Sequence, residues 1–354
     1  MADGGATIYG AFDIGVLYQG NHGTVASGLN GHNGIGFKMS EDLGNGMTIS
    51  GDAFFQFALD AGGNGAGLGN NGGIRGEGGG GGYYGTGVRG SAGGINTLYS
   101  YLALSGDFGT FIAGRAGGAR AGFIKQYDAF GGFGAGSALQ SQSSALGNAD
   151  YADNVLAWVT PETLPGLKFL AAYTSNLVGQ DYPTNAERRA FTATPLYAVA
   201  ALYNQGPISL TAAYENLTLY GAGAHLDVVT GAGSYDFGVA KVMALYQYIE
   251  SAQHGWQVGA TAPVGAATLK AGYVHNTNSG LGACAKVAAG VNYDLSKRTR
   301  LYADLAKQTD EQGCVYAIGS NGGTFSSAAG TALENGLAVP TKSWAGDVGI
   351  RHSF

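Results

Sequence analysis

The sequence predicts an all-β protein, a 16-stranded antiparallel β-barrel that crosses a membrane. Three observations lead there. Charged residues make up 12% of the 354, about half the usual share for a soluble globular chain. Hydrophobic residues reach 45%, yet mean hydropathy is only +0.02, so the apolar residues are diluted rather than clustered. Apolar and polar residues alternate with period two in short runs, and none approaches the ~18 consecutive apolar residues of a transmembrane helix. The gaps between runs are alternately short and long, as in a barrel with tight turns at one end and loops at the other. A secreted β-sandwich or β-helix is the competing class, and its surface would carry more charge.

The runs follow in order. "TIYGAFDIGVLY" sets Ile8, Phe12, Ile14, Val16 and Tyr18 against Tyr9, Ala11 and Asp13. "GIGFKMSE" sets Ile35, Phe37 and Met39 against Lys38 and Ser40, and a tight "DLGNG" turn leads into "MTISGDAFFQFAL". There Ile49, Phe55 and Phe57 oppose Ser50, Asp52 and Gln56. "TLYSYLALS" and "TFIAGR" meet at "GDFG", "NVLAWVT" and "LKFLAAYT" at "PETLPG", "AFTATPLYAVAALYN" and "ISLTAAYENL" at "QGP". "LDVVTGAGSY" and "VAKVMALYQYI" turn at "DFG"; "GWQVGATA" and "ATLKAGYVH" follow, then "CAKVAAGVNY" and "RLYADLAKQ" around "DLSKRT". The last run, "WAGDVGIRHSF", places Trp344, Gly346, Val348, Ile350, His352 and Phe354 on one side. Ala345, Asp347, Gly349, Arg351 and Ser353 take the other, which makes a sixteenth strand ending on an aromatic.

The chain reads as a single domain, 1–354, with long connections at 20–33, 60–96, 116–150, 175–189, 218–225 and 309–343. Within the second, 61–94 holds 18 glycines in 34 residues, a backbone costly to order unaided. Its "GAGLGNNG" lacks the strand-turn-helix setting of a nucleotide loop. A net charge of −6 with no basic patch excludes nucleic acid as the expected partner. Met1 and Ala2 carry neither a basic region nor an apolar one, so any secretion signal is expected to have been removed.

Several segments together resemble the general (diffusion) porins of Gram-negative β-proteobacteria: "GIGFKMSEDLGNG", "LSGDFGTFIAGR", "DNVLAWVTPETLPGLKFLAAYT", "YDFGVAKVMALYQY", "VNYDLSKRTRLYADLAKQ" and "GDVGIRHSF". The family reads roughly GFKGSEDLGNG, LSGxFGTVxLGRQ, NSVRYxSPxFxGF, YDLSKRTxLYA and VGIRHxF there, and the resemblance runs from first strand to last residue. It implies a trimeric barrel in the outer membrane with short periplasmic turns, long extracellular loops and a third loop folded inward to narrow the pore. It also implies passive passage of ions and small hydrophilic solutes, contact with outer-membrane lipids including lipopolysaccharide, no cofactor and no bond chemistry. The final strand would close the sheet on the first, and Phe354 would serve as the aromatic signal that outer-membrane assembly reads.

By that resemblance 116–150 is the constriction loop, with Asp128 in its middle, Asp150 and Asp153 at its exit, and Arg120 and Lys125 near its entry. Its acidic residues would face basic residues of the wall, giving a transverse field that orients solutes. Lumen-facing by parity are Lys38, Lys168, Lys241, Lys270, Lys286, Arg300 and Arg351, with Asp13, Asp52, Glu215, Asp304 and Asp347. Arg115 matches the arginine of GRQ. The family arginine of NSVRY falls on Ala157, its serine on Val155, and the basic residue opening strand four on Leu98. Val155, Ala157 and Val159 would then line the lumen, so weak selectivity tilted toward cations, or a lumen suited to less polar solutes, is expected.

Cys284 and Cys314 lie at the loop end of neighbouring strands and read as one disulfide, two free thiols being the alternative. The histidines are scattered without HxxxH or CxxC spacing, so no metal is expected. Other readings are a substrate-selective channel with an aromatic track (Tyr9, Tyr83, Tyr84, Tyr127, Phe130, Phe133) and an adhesive or scaffolding barrel. An outer-membrane hydrolase would need a Ser/His constellation that does not stand out.

Overall fold

A computed structural model describes residues 5–19, 22–57, 59, 95–138, 151–175, 195–219, 224–279, 282–310, 325–326, 332–334, 337–339 and 343–354. The glycine-rich stretch 61–94, Asp150 and Cys314 lie outside the described residues.

The first half of the chain contributes β1 (Gly5–Gln19), β2 (His22–Ser27), β3 (Gly34–Gly44), β4 (Met47–Phe57), β5 (Ile95–Gly106), β6 (Gly109–Gly117), helix α1 (Ala119–Gln126), β7 (Tyr151–Val159) and β8 (Leu167–Thr174). The second half contributes β9 (Leu196–Gln205), β10 (Ile208–Leu219), β11 (Ala224–Asp236), β12 (Lys241–Ile249), β13 (Gln253–Val264), β14 (Ala267–Asn278), β15 (Gly282–Asp294) and β16 (Thr299–Asp310). The short β17 (Phe325–Ser326), β18 (Ala332–Glu334) and β19 (Leu337–Val339) form a separate three-stranded sheet, and β20 (Ser343–Ser353) ends the chain.

Among the described residues, seventeen strands share one antiparallel sheet, and sixteen of them make the closed wall. The seventeenth, β2, was not expected: the first loop folds back and pairs with the upper part of β1, Ile14 against Ser27 through Gln19 against His22. Below it the same edge of β1 pairs with β3, while the other edge pairs with β20 from Ala11 to Gln19. Where β3 leaves β1, the Asn33 amide takes the place of a strand. Its Nδ2 donates to the Asp13 carbonyl at 2.9 Å and its Oδ1 accepts the Asp13 N–H.

Closure is completed at the terminus. Gly10 and Phe354 exchange both backbone hydrogen bonds, at 3.1 and 3.0 Å, so no ladder edge is left open to lipid at that point. The Phe354 ring lies over Gly10, where an added Cβ would come within 2.6 Å of it, and sits edge-on to Phe12 at 5.4 Å. Gly10 is therefore covered by the chain's own terminus rather than offered to a neighbouring barrel.

The pattern of exposure is inside-out. Ile8, Val287 and Val348 on the outer face are 65, 53 and 57% exposed, whereas Asp13, Gln247 and Gln257 facing inward are 2% or less. Water on that outer face would oppose folding at roughly 25 cal/mol per Å² of apolar surface, and hydrocarbon removes the penalty. Tyr18, Tyr173, Tyr248, Trp256 and Trp344 stand near the loop end; Phe111, Trp158, Tyr235, Tyr293 and Phe354 stand near the turn end. From Trp344 to Phe354 a strand rises about 34 Å, or about 26 Å of height at a tilt near 40°. That matches the ~25 Å apolar band of outer-membrane barrels with an aromatic girdle at each rim.

The tight turns follow residue chemistry. Between β3 and β4, Asn45 and Gly46 both take left-handed φ (53° and 76°), the Asn-Gly solution for a hairpin.

Candidate functional site

The interior is organised by the connection after β6. Gly118 is extended, α1 carries the chain inward, and residues 127–138 turn back on themselves. The Asp128 carboxylate accepts the backbone N–H groups of Phe130, Gly132 and Ala138 at 3.0, 3.0 and 2.9 Å. Burial raises its pKa, opposed by those bonds and by the charge of Lys286. Asp128 thus shapes the loop from within.

The loop is fastened to the wall opposite its origin. From β13, Gln257 Nε2 donates to the carbonyls of Ile124 (3.2 Å) and Tyr127 (2.9 Å), two orphan acceptors at the end of α1. The Tyr127 hydroxyl meets Ser209 and Thr211 of β10 at 3.0 and 2.9 Å. Lys286 Nζ donates to the Ser137 carbonyl, and Asp347 Oδ2 accepts the Ala135 N–H at 2.5 Å. Phe130 is buried under Lys270, whose Nζ lies 4.9 Å from its ring. Gly134, at φ +68°, passes so close that a Cβ would sit 2.8 Å from Asp347 and 3.0 Å from Asp304.

The wall charges beneath the loop are spent on each other. Lys270 pairs with Asp304 at 2.7 Å, and Arg351 reaches Asp13 at 3.8 Å. Asp13 also accepts from Tyr302 (2.6 Å) and from the backbone N–H of Asn30 (2.5 Å). Of the parity-assigned cations, Lys270 and Lys286 are buried, Arg300 holds Asp294 beside a turn, and Lys168 is exposed at the turn end.

The facing wall, β1 through β7, carries the open side. Lys38 is 58% exposed, 3.9 Å from Asp52 and 4.5 Å above the Tyr9 ring. Arg115 pairs with Asp153 and donates Nε to the Leu98 carbonyl at 2.9 Å. Strict alternation from inward Ile112 would turn Arg115 outward. A register shift between Gly114 and Ala116, with Gly114 at φ +133°, accompanies its turn to the inside. Val155 and Ala157 do face inward, with Leu156 and Trp158 on the lipid side.

An aromatic band crosses this wall, and the track named from sequence lacked its members Phe54, Tyr99 and Tyr151. Tyr9 donates to Asp52 (2.5 Å) and shares a hydrogen bond with Tyr99 (2.7 Å); Tyr99 stacks on Phe54 (5.6 Å) and Tyr151 (5.7 Å). Lys125 stands 5.3 Å from Phe133 and 5.8 Å from Tyr151. His32 packs between Phe133 and Tyr151, and burial, then Lys125 and Arg351, hold its pKa well below the usual value. The inward parity of Tyr9, Tyr99 and Tyr101 was a usable signal for the band. Of the track named from sequence, Tyr9 and Phe133 belong to this side, Tyr127 and Phe130 anchor the loop, and Tyr83 and Tyr84 lie outside the described residues.

Cys284 is buried and is not a free thiol; its expected partner, Cys314, is outside the described residues.

Comparison with known proteins places this geometry. The family described as Gram-negative porin matches residues 1–313. Outer membrane porin protein 32 of Delftia acidovorans is 25% identical over 386 residues, covering 100% of this chain and 95% of that one. The solved structure of an anion-selective porin from Comamonas acidovorans aligns with TM-score 0.74 at 22% identity, covering 99 and 100% of the two chains. The trimer form of OmpT from Vibrio cholerae aligns with TM-score 0.64 at 16% identity, covering 99% of each chain.

Proposed function

The chain belongs to the Gram-negative porin family and is a diffusion channel of the outer membrane, and we propose that solutes pass between the docked third loop and the β1–β7 wall. The observation that carries this is the loop's attachment to the far wall through Gln257, Lys286 and Asp347, on the opposite side from Lys38, Asp52 and Arg115 among the described residues. Its work is passage, not bond chemistry: size and field at the constriction do the selecting.

We expect weak ion selectivity. Among the described residues, four pairs of opposite charge line the lumen, Lys38 with Asp52 and Arg115 with Asp153 on one side, Lys270 with Asp304 and Arg351 with Asp13 on the other. Such pairs cancel beyond a Debye length of about 8 Å. A cation tilt from the missing arginine at Ala157 has little to draw on, because the loop covers Asp304 and Asp347. The aromatic band favours a second contribution, retention of solutes with a flat apolar face.

The wider reading is a homotrimer in contact with lipopolysaccharide, with Cys284 bridged to Cys314 at the base of the last loop. The trimer form of the Vibrio relative supports the first part. Purified protein in a planar bilayer across a KCl gradient tests the channel. Conductance steps in threes with a reversal potential near zero are expected; no conductance overturns the channel, and strong selectivity of either sign overturns the matched-charge account. Thiol titration of the unfolded chain before and after reduction tests the bridge.

A further inference from the structure

Where α1 leaves β6 lies a cavity whose lining does not include Lys38, Asp52 or Arg115. It is half-enclosed, about 130 Å³, between the start of α1 and the inner faces of β6 to β10. Its walls are mostly small and apolar, with Ala152, Val155, Ala157 and Leu170 among them. Two charged side chains line it, Arg120 and Glu215, each only 4% exposed. Glu215 accepts the backbone N–H of Arg120 at the first turn of α1 and is attracted by the charge of its guanidinium. Nε and Nη1 of Arg120 are nonetheless buried without a hydrogen-bond partner among the described residues.

A guanidinium held out of bulk water with two idle donors is costly, since unmet hydrogen bonds to charged groups weigh more than ordinary ones. A carboxylate brings a full negative charge and two acceptor oxygens to such a group. The remaining walls reject a polar body, and an apolar cavity of ~150 Å³ is large enough for a benzene-sized molecule. Glu215 stands across the same space and opposes a second negative charge.

We propose that this cavity is a binding site for small apolar monocarboxylates, with the carboxylate on Arg120 and the hydrocarbon against Val155 and Ala157. The wall position that lacks the family arginine thus becomes the apolar side of a pocket, and the cation is supplied by the loop. Binding needs only the docked loop, so it is measured without ion passage.

The probe is isovalerate labelled with ¹³C at the carboxyl, titrated by NMR into detergent-solubilised protein, with isoamyl alcohol and succinate as comparisons. Saturable binding of isovalerate is expected, at least tenfold tighter than of either comparison. Arg120→Gln should weaken it at least tenfold, and Ala157→Leu should fill the apolar side and do the same with Arg120 intact. Folding of each variant is checked by the heat-dependent gel shift of barrel proteins. Folded protein with no saturable isovalerate binding overturns the proposal. So does equal binding of the alcohol, or binding insensitive to both substitutions, which would mean that water fills the cavity. A conducting channel with any of these results leaves the channel reading intact.

Discussion

Gln257 is where the loop is most open to a decisive test. Its Nε2 donates to two carbonyls at the end of α1, and the residues carrying them, Ile124 and Tyr127, are 0 and 1% exposed. Gln257→Leu removes the donor and keeps the volume, leaving both carbonyls unmet at about 1–3 kcal/mol each. Lumen water can reach them once the loop lifts, so the loss should sit toward the low end, about 2–3 kcal/mol, or about 30- to 150-fold in the docked population. The barrel ladder does not involve this side chain, so the heat-dependent gel shift should be unchanged. Single-channel recording should show raised open-channel noise and a larger mean conductance. Gln257→Glu should be worse near neutral pH, because a carboxylate faces two acceptors, and it should recover in acid as protonation restores one donor. Conductance and noise like the parent in both variants would refute the placement of the loop against β13.

Two further outcomes follow from single contacts. Phe354→Ala keeps the backbone exchange with Gly10 but loses the ring over Gly10 and Phe12; since that ring is 41% exposed, a loss of about 1.5–2.5 kcal/mol is expected in urea unfolding from lipid vesicles, and none would mean the ring does not help close the seam. His32 is held neutral in the folded state, its pKa depressed by burial and by Lys125 and Arg351, so its contribution is complete above the ordinary value near 6.5 and is lost as pH falls below it, by up to about 1.4 kcal/mol per unit. His32→Phe should flatten that acid limb in a stability profile between pH 7 and 4, and an unchanged slope would contradict the burial of the imidazole.

How legible the chain is depends on what each residue answers to. Ile8, Phe12, Val16 and Tyr18 face lipid and alternate with Ala11 and Asp13 because the pleat has period two, so parity alone located both faces of β1. Parity failed at Arg115, where a bulge intervenes, and it said nothing of β2, which pairs with β1 through backbone groups without needing an apolar face. Asp128 was read as a field residue from its place in the loop; its three amide partners are set by turns that composition does not encode.

By itself the sequence determined the barrel: strand count, closure by the terminal strand, the lipid face and the loop end all follow from a two-residue period and from the need to pair every backbone group in hydrocarbon. Only the tertiary structure decided which inward charges meet. Lys270 finds Asp304 across β15, Lys286 finds the Ser137 carbonyl of the docked loop, and Arg120 is left facing an apolar wall. Parity fixes the side of a sheet on which a residue stands, but a long side chain's partner depends on strand stagger and on where the inward loop comes to rest.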